Sequence, residues 1–119
     1  MTKEELLNRT KVFAHRCVKV ALSLPKNILG KHIENQLIRS STSVAANYRA
    51  ACQAQTKPGF ISKLSIVIEE ADETEFWLEF LIDEKLLISK EVGELKSEAH
   101  ELASIFISSR RTAQKNYDI

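Results

Sequence analysis

Three Gly and two Pro are the only such residues in 119. These residues supply tight turns and break helices. A chain so poor in them has few reversals, hence long elements, hence helices. The apolar spacing agrees. Leu6, Thr10, Phe13, Cys17, Val20 and Leu24 recur at three- and four-residue steps, which lines up one helical face. Ile33, Leu37, Ser40/Ser41, Val44, Tyr48 and Ala51 make a second seam, and Phe60, Leu64, Val67, Ala71, Thr74, Leu78 and Leu81 a third. Ile88, Val92, Leu95, Ala99, Leu102 and Phe106 make a fourth. The spacing predicts helices over about 2–24, 30–55 and 58–87, with a fourth from Ser89 that frays through Arg110, Arg111 and Lys115. Thr2 with Glu5 reads as a capping box, Pro25 ends the first helix, Pro58 suits a first turn, and Ser89 is a good N-cap. The expectation is all-α: one domain over 1–119, folded as an antiparallel up-down-up-down four-helix bundle.

The third helix has two apolar faces. At 100° per residue, Phe76, Phe80 and Leu87 fall almost opposite its core seam, with Ile66 and Trp77 between. A lone bundle helix needs one apolar stripe, and its back should be polar. Cover from the other helices would account for part of that back. The preferred reading is a subunit interface of Ile66, Phe76, Trp77, Phe80 and Leu87, rimmed by Glu69, Glu73 and Glu84. A basic face from helix 1 or helix 2 of a neighbour would complement it, and a head-to-tail contact closes into a ring if the rotation allows.

Net charge is +1, but unevenly placed. Residues 1–58 hold ten Lys/Arg and three Asp/Glu, a net of +7; residues 59–106 hold four and twelve, a net of −8. The last thirteen hold three and one, a net of +2. Basic and acidic helices that neutralise one another across the fold are the first reading. An exposed basic face for a polyanion is the second.

The middle of the second helix, Ser40, Ser41, Thr42, Ser43 and then Ala45, Ala46 and Asn47, is small and polar. Ser40 and Ser41 fall on the seam, where small side chains permit close approach and a hydroxyl can bond to a carbonyl one turn back. Gln36, Ser43 and Asn47 form a polar stripe beside it, with Glu70 of the third helix as the expected partner of Asn47. A ligand site there is the lesser alternative.

"QLIRSSTSVAANYRAA" resembles the second helix of the 23S rRNA intervening-sequence proteins, through Gln36, Leu37, Arg39, Ser40, Ser43, Val44 and Asn47. "FISKLSIVIEEADETEFWLEFL" resembles their third, through Phe60, Lys63, Leu64, Glu70, Ala71, Glu73, Thr74, Trp77 and Leu78. The resemblance covers nearly the whole chain. Ala50 departs from it, where many members carry Glu. The resemblance implies a four-helix bundle assembled as a homopentamer. It also points to related retroelement accessory proteins, strongly basic rings that bind nucleic acid, whereas this chain is nearly neutral.

Sites for catalysis are hard to find. No Glu-x-x-His, His-x-x-x-His or Cys-x-x-Cys exists, so no metal or other cofactor is expected. His15 and His100 read as solvated, and the run Glu69, Glu70, Asp72, Glu73, Glu75 as a solvated face or interface rim. Cys17 and Cys52 read as buried thiols of a reducing compartment, with a disulfide the lesser alternative. The charged N-terminus lacks a signal-peptide pattern, and no apolar run reaches the ~18 residues of a membrane span. A cytoplasmic, non-catalytic protein with no membrane association is expected. Two functions remain. One is a nucleic-acid-associated oligomer with Arg39, Arg49, Lys57, Lys63, Arg110, Arg111 and Lys115 on RNA or DNA phosphates. The other is a protein-binding scaffold.

Overall fold

Four helices account for nearly all of the chain: α1 (Lys3–Leu22), α2 (Ile28–Cys52), α3 (Lys57–Asp83) and α4 (Lys90–Tyr117). The computed structural model describes residues 1–117, with side chains through Asn116. Residues 118 and 119, included in the single-domain expectation, lie outside the described residues. No strand occurs among the described residues, and none of the helices is long and apolar enough to cross a membrane.

Each start is capped by a polar side chain that takes up an orphan backbone N–H. Thr2 Oγ1 accepts from Glu5 N at 3.1 Å and Asn27 Oδ1 from Gly30 N at 2.8 Å. Thr56 Oγ1 accepts from Gly59 N at 3.1 Å and Ser89 Oγ from Glu91 N at 3.2 Å. Asn27 is why α2 begins ahead of the expected Gly30, and it stops at Cys52, short of the expected Gln55.

The largest difference from expectation is the end of α3, at Asp83 rather than near Leu87. Lys85 takes a left-handed φ of 53°. Its N–H donates to Ile82 O at 3.0 Å, and Leu86 N–H donates to Leu81 O at 3.1 Å. That pair of bonds is a Schellman stop. It is built without Gly or Pro, so nothing in the local composition announces it. Leu87 therefore lies beyond the helix, and Ile88, expected on the α4 seam, precedes α4 and is 92% exposed.

The remaining seams meet in one core. Phe13, Ile33, Leu37, Leu64, Leu78, Leu95, Leu102 and Phe106 are fully buried, and the Tyr48 and Phe106 rings pack 4.9 Å apart. Phe60 is half-buried at the edge of this core. Polar contacts tie the helices in a consistent order. Arg9 meets Glu98 and Arg16 meets Glu91 between α1 and α4. His32 meets Trp77 and Ser40 meets Thr74 between α2 and α3. Between α3 and α4, Ser65 meets Arg110, Glu75 meets His100 and Glu79 meets Lys96. In every case the partner's number falls as the residue's rises. The outcome is a rod of 51 × 21 × 20 Å.

The α1–α2 reversal depends on Gly30. A Cβ there would sit 1.9 Å from the Pro25 carbonyl oxygen, while one on Gly93 would meet nothing within 4 Å. Gly30→Ala is therefore expected to lower stability by about 2 kcal/mol or more through overpacking against backbone. Gly93→Ala is expected to raise it by about 0.5–1 kcal/mol through helix propensity. Urea denaturation of the two variants beside the parent checks both signs.

Candidate functional site

The small polar centre of α2 packs on α3. Ser40, Ser41 and Thr74 are all 0% exposed. Thr74 Oγ1 and Ser40 Oγ are hydrogen-bonded at 2.9 Å, and Thr74 Oγ1 also lies 2.8 Å from Glu70 O in its own helix. No buried side-chain N or O lacks a partner among the described residues. The expected polar stripe divides in two. Asn47 donates to Ser43 O at 2.9 Å and Ser43 Oγ at 2.8 Å, both within α2, so it does not bond Glu70 as anticipated. Glu70 instead accepts from Arg39 Nη1 at 2.9 Å; Arg39 Nη2 also reaches Glu73, and Arg39 Nε lies 3.5 Å from Gln36 Oε1. Glu73 accepts in turn from Trp77 Nε1 at 3.4 Å. Glu70 and Glu73, one helical step apart at i and i+3, thus form a two-carboxylate seat for one guanidinium.

That seat separates Arg39 from the other phosphate candidates. Arg9 and Arg16 are occupied in the same way. Arg9 is 2.7 Å from Glu98 and 3.0 Å from Glu101, and Arg16 Nε donates to Glu91 at 2.9 Å. Hydrogen bonds donated to these carboxylates push both guanidinium pKa values up, Glu98 accepting from Arg9 and Glu91 from Arg16. Reciprocally, Arg16 holds the Glu91 carboxyl below its ordinary 4.5. Arg49, Lys57, Lys63, Arg110, Arg111 and Lys115 make no ion pair among the described residues. Arg49 lies near the end of α2, Lys57 and Lys63 near the start of α3, and Arg110, Arg111 and Lys115 towards the end of α4, and hollows beside Lys57 bring Lys3, Cys52 and Asn116 to the same end of the molecule. Arg110 Nη1 donates to Ser65 Oγ at 3.1 Å. Lys57 lines a shallow hollow with Ser108, Thr112 and Asn116, and Lys3 lines another with Thr56 and Lys57. Glu4 and Glu5, in the first turn of α1, are acidic residues at this end.

The aromatic candidates cluster in part. Phe76 is 53% exposed, and its ring lies 4.9 Å from Trp77 and 5.9 Å from Phe80. His32 meets the Trp77 ring edge-on at 5.4 Å. Ile66 lies ten residues before Phe76, ~15 Å away along the axis. Leu87 is outside the helix. Of the expected set, Phe76 is exposed, Trp77 and Phe80 adjoin it half-buried against the core, and Ile66 and Leu87 lie apart from this cluster.

Residues 2–108 match the family model described as 23S rRNA-intervening sequence protein. The chain belongs to that family. A crystal structure of a protein of unknown function from the S23 ribosomal protein family of Bacteroides thetaiotaomicron VPI-5482 has a similar fold. It shares 31% identity with a TM-score of 0.79, over 93% of this chain and 99% of that one. None of the curated proteins matches the chain. The match over residues 2–108 includes both quoted helices, so the paired patterns of α2 and α3 identified the family correctly.

One feature of this intervening-sequence family member escaped sequence reasoning. Between α1 and α2 runs an open groove of about 810 Å³, floored by Leu7, Ala14, Val18, Ala45 and Ala46. Lys3, Lys11, His15 and Arg49 also line it, and no carboxylate does among the described residues. Ala45 and Ala46 were the available signal, small residues off the α2 seam.

The lowered Glu91 value carries a pH dependence. Its folded-state pKa lies below its unfolded one, so its contribution is fully present above the ordinary 4.5 and is lost as pH falls through the lowered value. The pair is partly exposed, which limits it to about 0–1 kcal/mol. Glu91→Gln should be less stable than the parent by an amount in that range at pH 7, and the gap should narrow at a pH below the ordinary 4.5. Denaturant titrations at both pH values measure it.

Proposed function

We propose that this chain is a non-catalytic subunit of a cytoplasmic homo-oligomeric ring, a pentamer by family resemblance, that binds nucleic acid through one end of an antiparallel up-down-up-down bundle. The observation that carries the nucleic-acid reading is the sorting of the cations. Arg9, Arg16 and Arg39 sit on carboxylates, whereas Arg49, Lys57, Lys63, Arg110, Arg111 and Lys115 share an end without an ion pair among the described residues. Such a surface suits phosphate oxygens and reads charge rather than sequence. In a ring of parallel copies these ends lie on one rim, and repetition raises a weak affinity by avidity. The opposed order of the helix contacts supports the antiparallel arrangement. The exposed Phe76 supports the oligomer, since an aromatic patch in water is costly to leave uncovered. The free Cys17 and Cys52 fit a reducing compartment.

A second reading is a scaffold for a protein partner. It is favoured by the near-neutral total charge and by the same aromatic patch.

Binding to single-stranded RNA, duplex RNA and duplex DNA should fall steeply with salt. Lys57→Ala with Arg49→Ala and Arg111→Ala removes three phosphate contacts. It should flatten the slope of log affinity against log salt for single strands by about 2. Fluorescence anisotropy across a salt series gives that slope, and native mass spectrometry of protein purified without nuclease tests for bound nucleic acid. No binding at low salt to any of the three sinks the nucleic-acid reading and favours the scaffold.

A further inference from the structure

The groove between α1 and α2 and the aromatic surface of α3 are two apolar features without a partner among the described residues. They differ in charge. Phe76 and Phe80 share the outer face of α3 with Glu69, Asp72 and Asp83, which make no ion pair among the described residues, whereas Glu73 and Glu79 are already held by Arg39 and Lys96. The groove is lined by Lys3, Lys11 and Arg49, with no carboxylate among the described residues. Resting on the oligomeric reading above, we propose that the α1–α2 groove of one copy receives the Phe76–Phe80 surface of the next.

Two arguments select this contact. The first is repulsion. Pairing the aromatic surface with itself about a two-fold axis would bring Glu69, Asp72 and Asp83 towards their own copies, and like charges in a closing interface disfavour it. Docking on the groove turns the same carboxylates towards lysine and arginine. The second is complementarity of form. A convex aromatic surface on a straight helix needs a concave apolar receiver, and the groove of about 810 Å³ with its Ala45–Ala46 floor is open enough to accept rings. Phe76 is half exposed, and Trp77 and Phe80 are already half-buried, so the rings supply the centre of the contact and their neighbours on α3 must supply most of the ~800 Å² per partner of a stable interface.

Because the two surfaces differ, the contact is head-to-tail, and every copy both gives and receives. The aromatic cluster lies beside His32 near the start of α2, whereas the groove is centred near Ala46. Those levels are ~20 Å apart along the helix, so each copy leans against the symmetry axis of a closed assembly.

The experiment uses two variants of the full chain, each altered only at exposed positions. Phe76→Lys spoils the giving surface and leaves the groove intact. Lys11→Glu with Ala46→Glu spoils the groove and leaves the giving surface intact. Light scattering after size exclusion, over a concentration series, should show the parent assembled and each variant's apparent dissociation constant raised at least about tenfold. An equimolar mixture should form a one-to-one heterodimer, because one good junction remains between the two. A groove variant that assembles like the parent overturns the proposal but leaves the oligomeric reading standing. Two dissociated variants that give no heterodimer on mixing also overturn it. A parent that stays monomeric at the top of the series overturns the oligomeric reading itself.

Discussion

Thr74 and Ser40 hold α2 and α3 together by a hydroxyl contact that only small residues permit. The consequence is rotational. Once Thr74 faces α2 and Ala71, Leu78 and Leu81 face the core, the 100° step turns Phe76 outward and leaves Phe80 half-buried at the edge of the core. Bulkier residues at 40 and 41 would separate the helices and loosen that constraint. The exposure of Phe76 is therefore a product of packing on the opposite side of its own helix, and the Arg39 seat on Glu70 and Glu73 reinforces the same rotation from the surface.

Charge is handled differently along the rod. Arginines near its middle are consumed as ties: Arg9 and Arg16 fasten α1 to α4, and Arg39 fastens α2 to α3. Partly exposed pairs of this kind add little stability each, but they fix lateral register and neutralise the acidic α3 and α4. What remains is an imbalance at one end, where the acidic run of α3 has not yet begun and α4 has passed its last glutamate, Glu101. Net charge near zero thus coexists with a strongly polar distribution, and a total of +1 is a poor guide to what the molecule attracts.

The helices and their buried faces were legible because the seams are long and the turn residues rare. Phe13, Leu37, Leu64 and Phe106 lie where a 3.6-residue period puts them. The misplaced end of α3 has a physical reason: Lys85 occupies a left-handed position usually given to Gly, so propensity pointed the wrong way. Gly30 was read as a boundary when its role is to let the Pro25 carbonyl approach. The site was less legible than the fold. Which arginine is tied and which is free depends on residues 31 to 89 positions away in sequence. A groove likewise belongs to two helices at once, so no single periodicity marks it.

The chain contains one tryptophan, and it lies half-buried where the outer aromatic cluster meets the core. Trp77 has Phe76 and Phe80 beside it and a carboxylate of Glu73 at its indole N–H. Its emission is therefore a built-in optical probe of the α3 outer face. A spectral shift on dilution would follow the wetting of that face while the core, which holds Tyr48 and no indole, stays silent. Denaturation followed by tryptophan fluorescence alone would record the fate of this surface first, and would need a helix signal beside it to speak for the whole bundle.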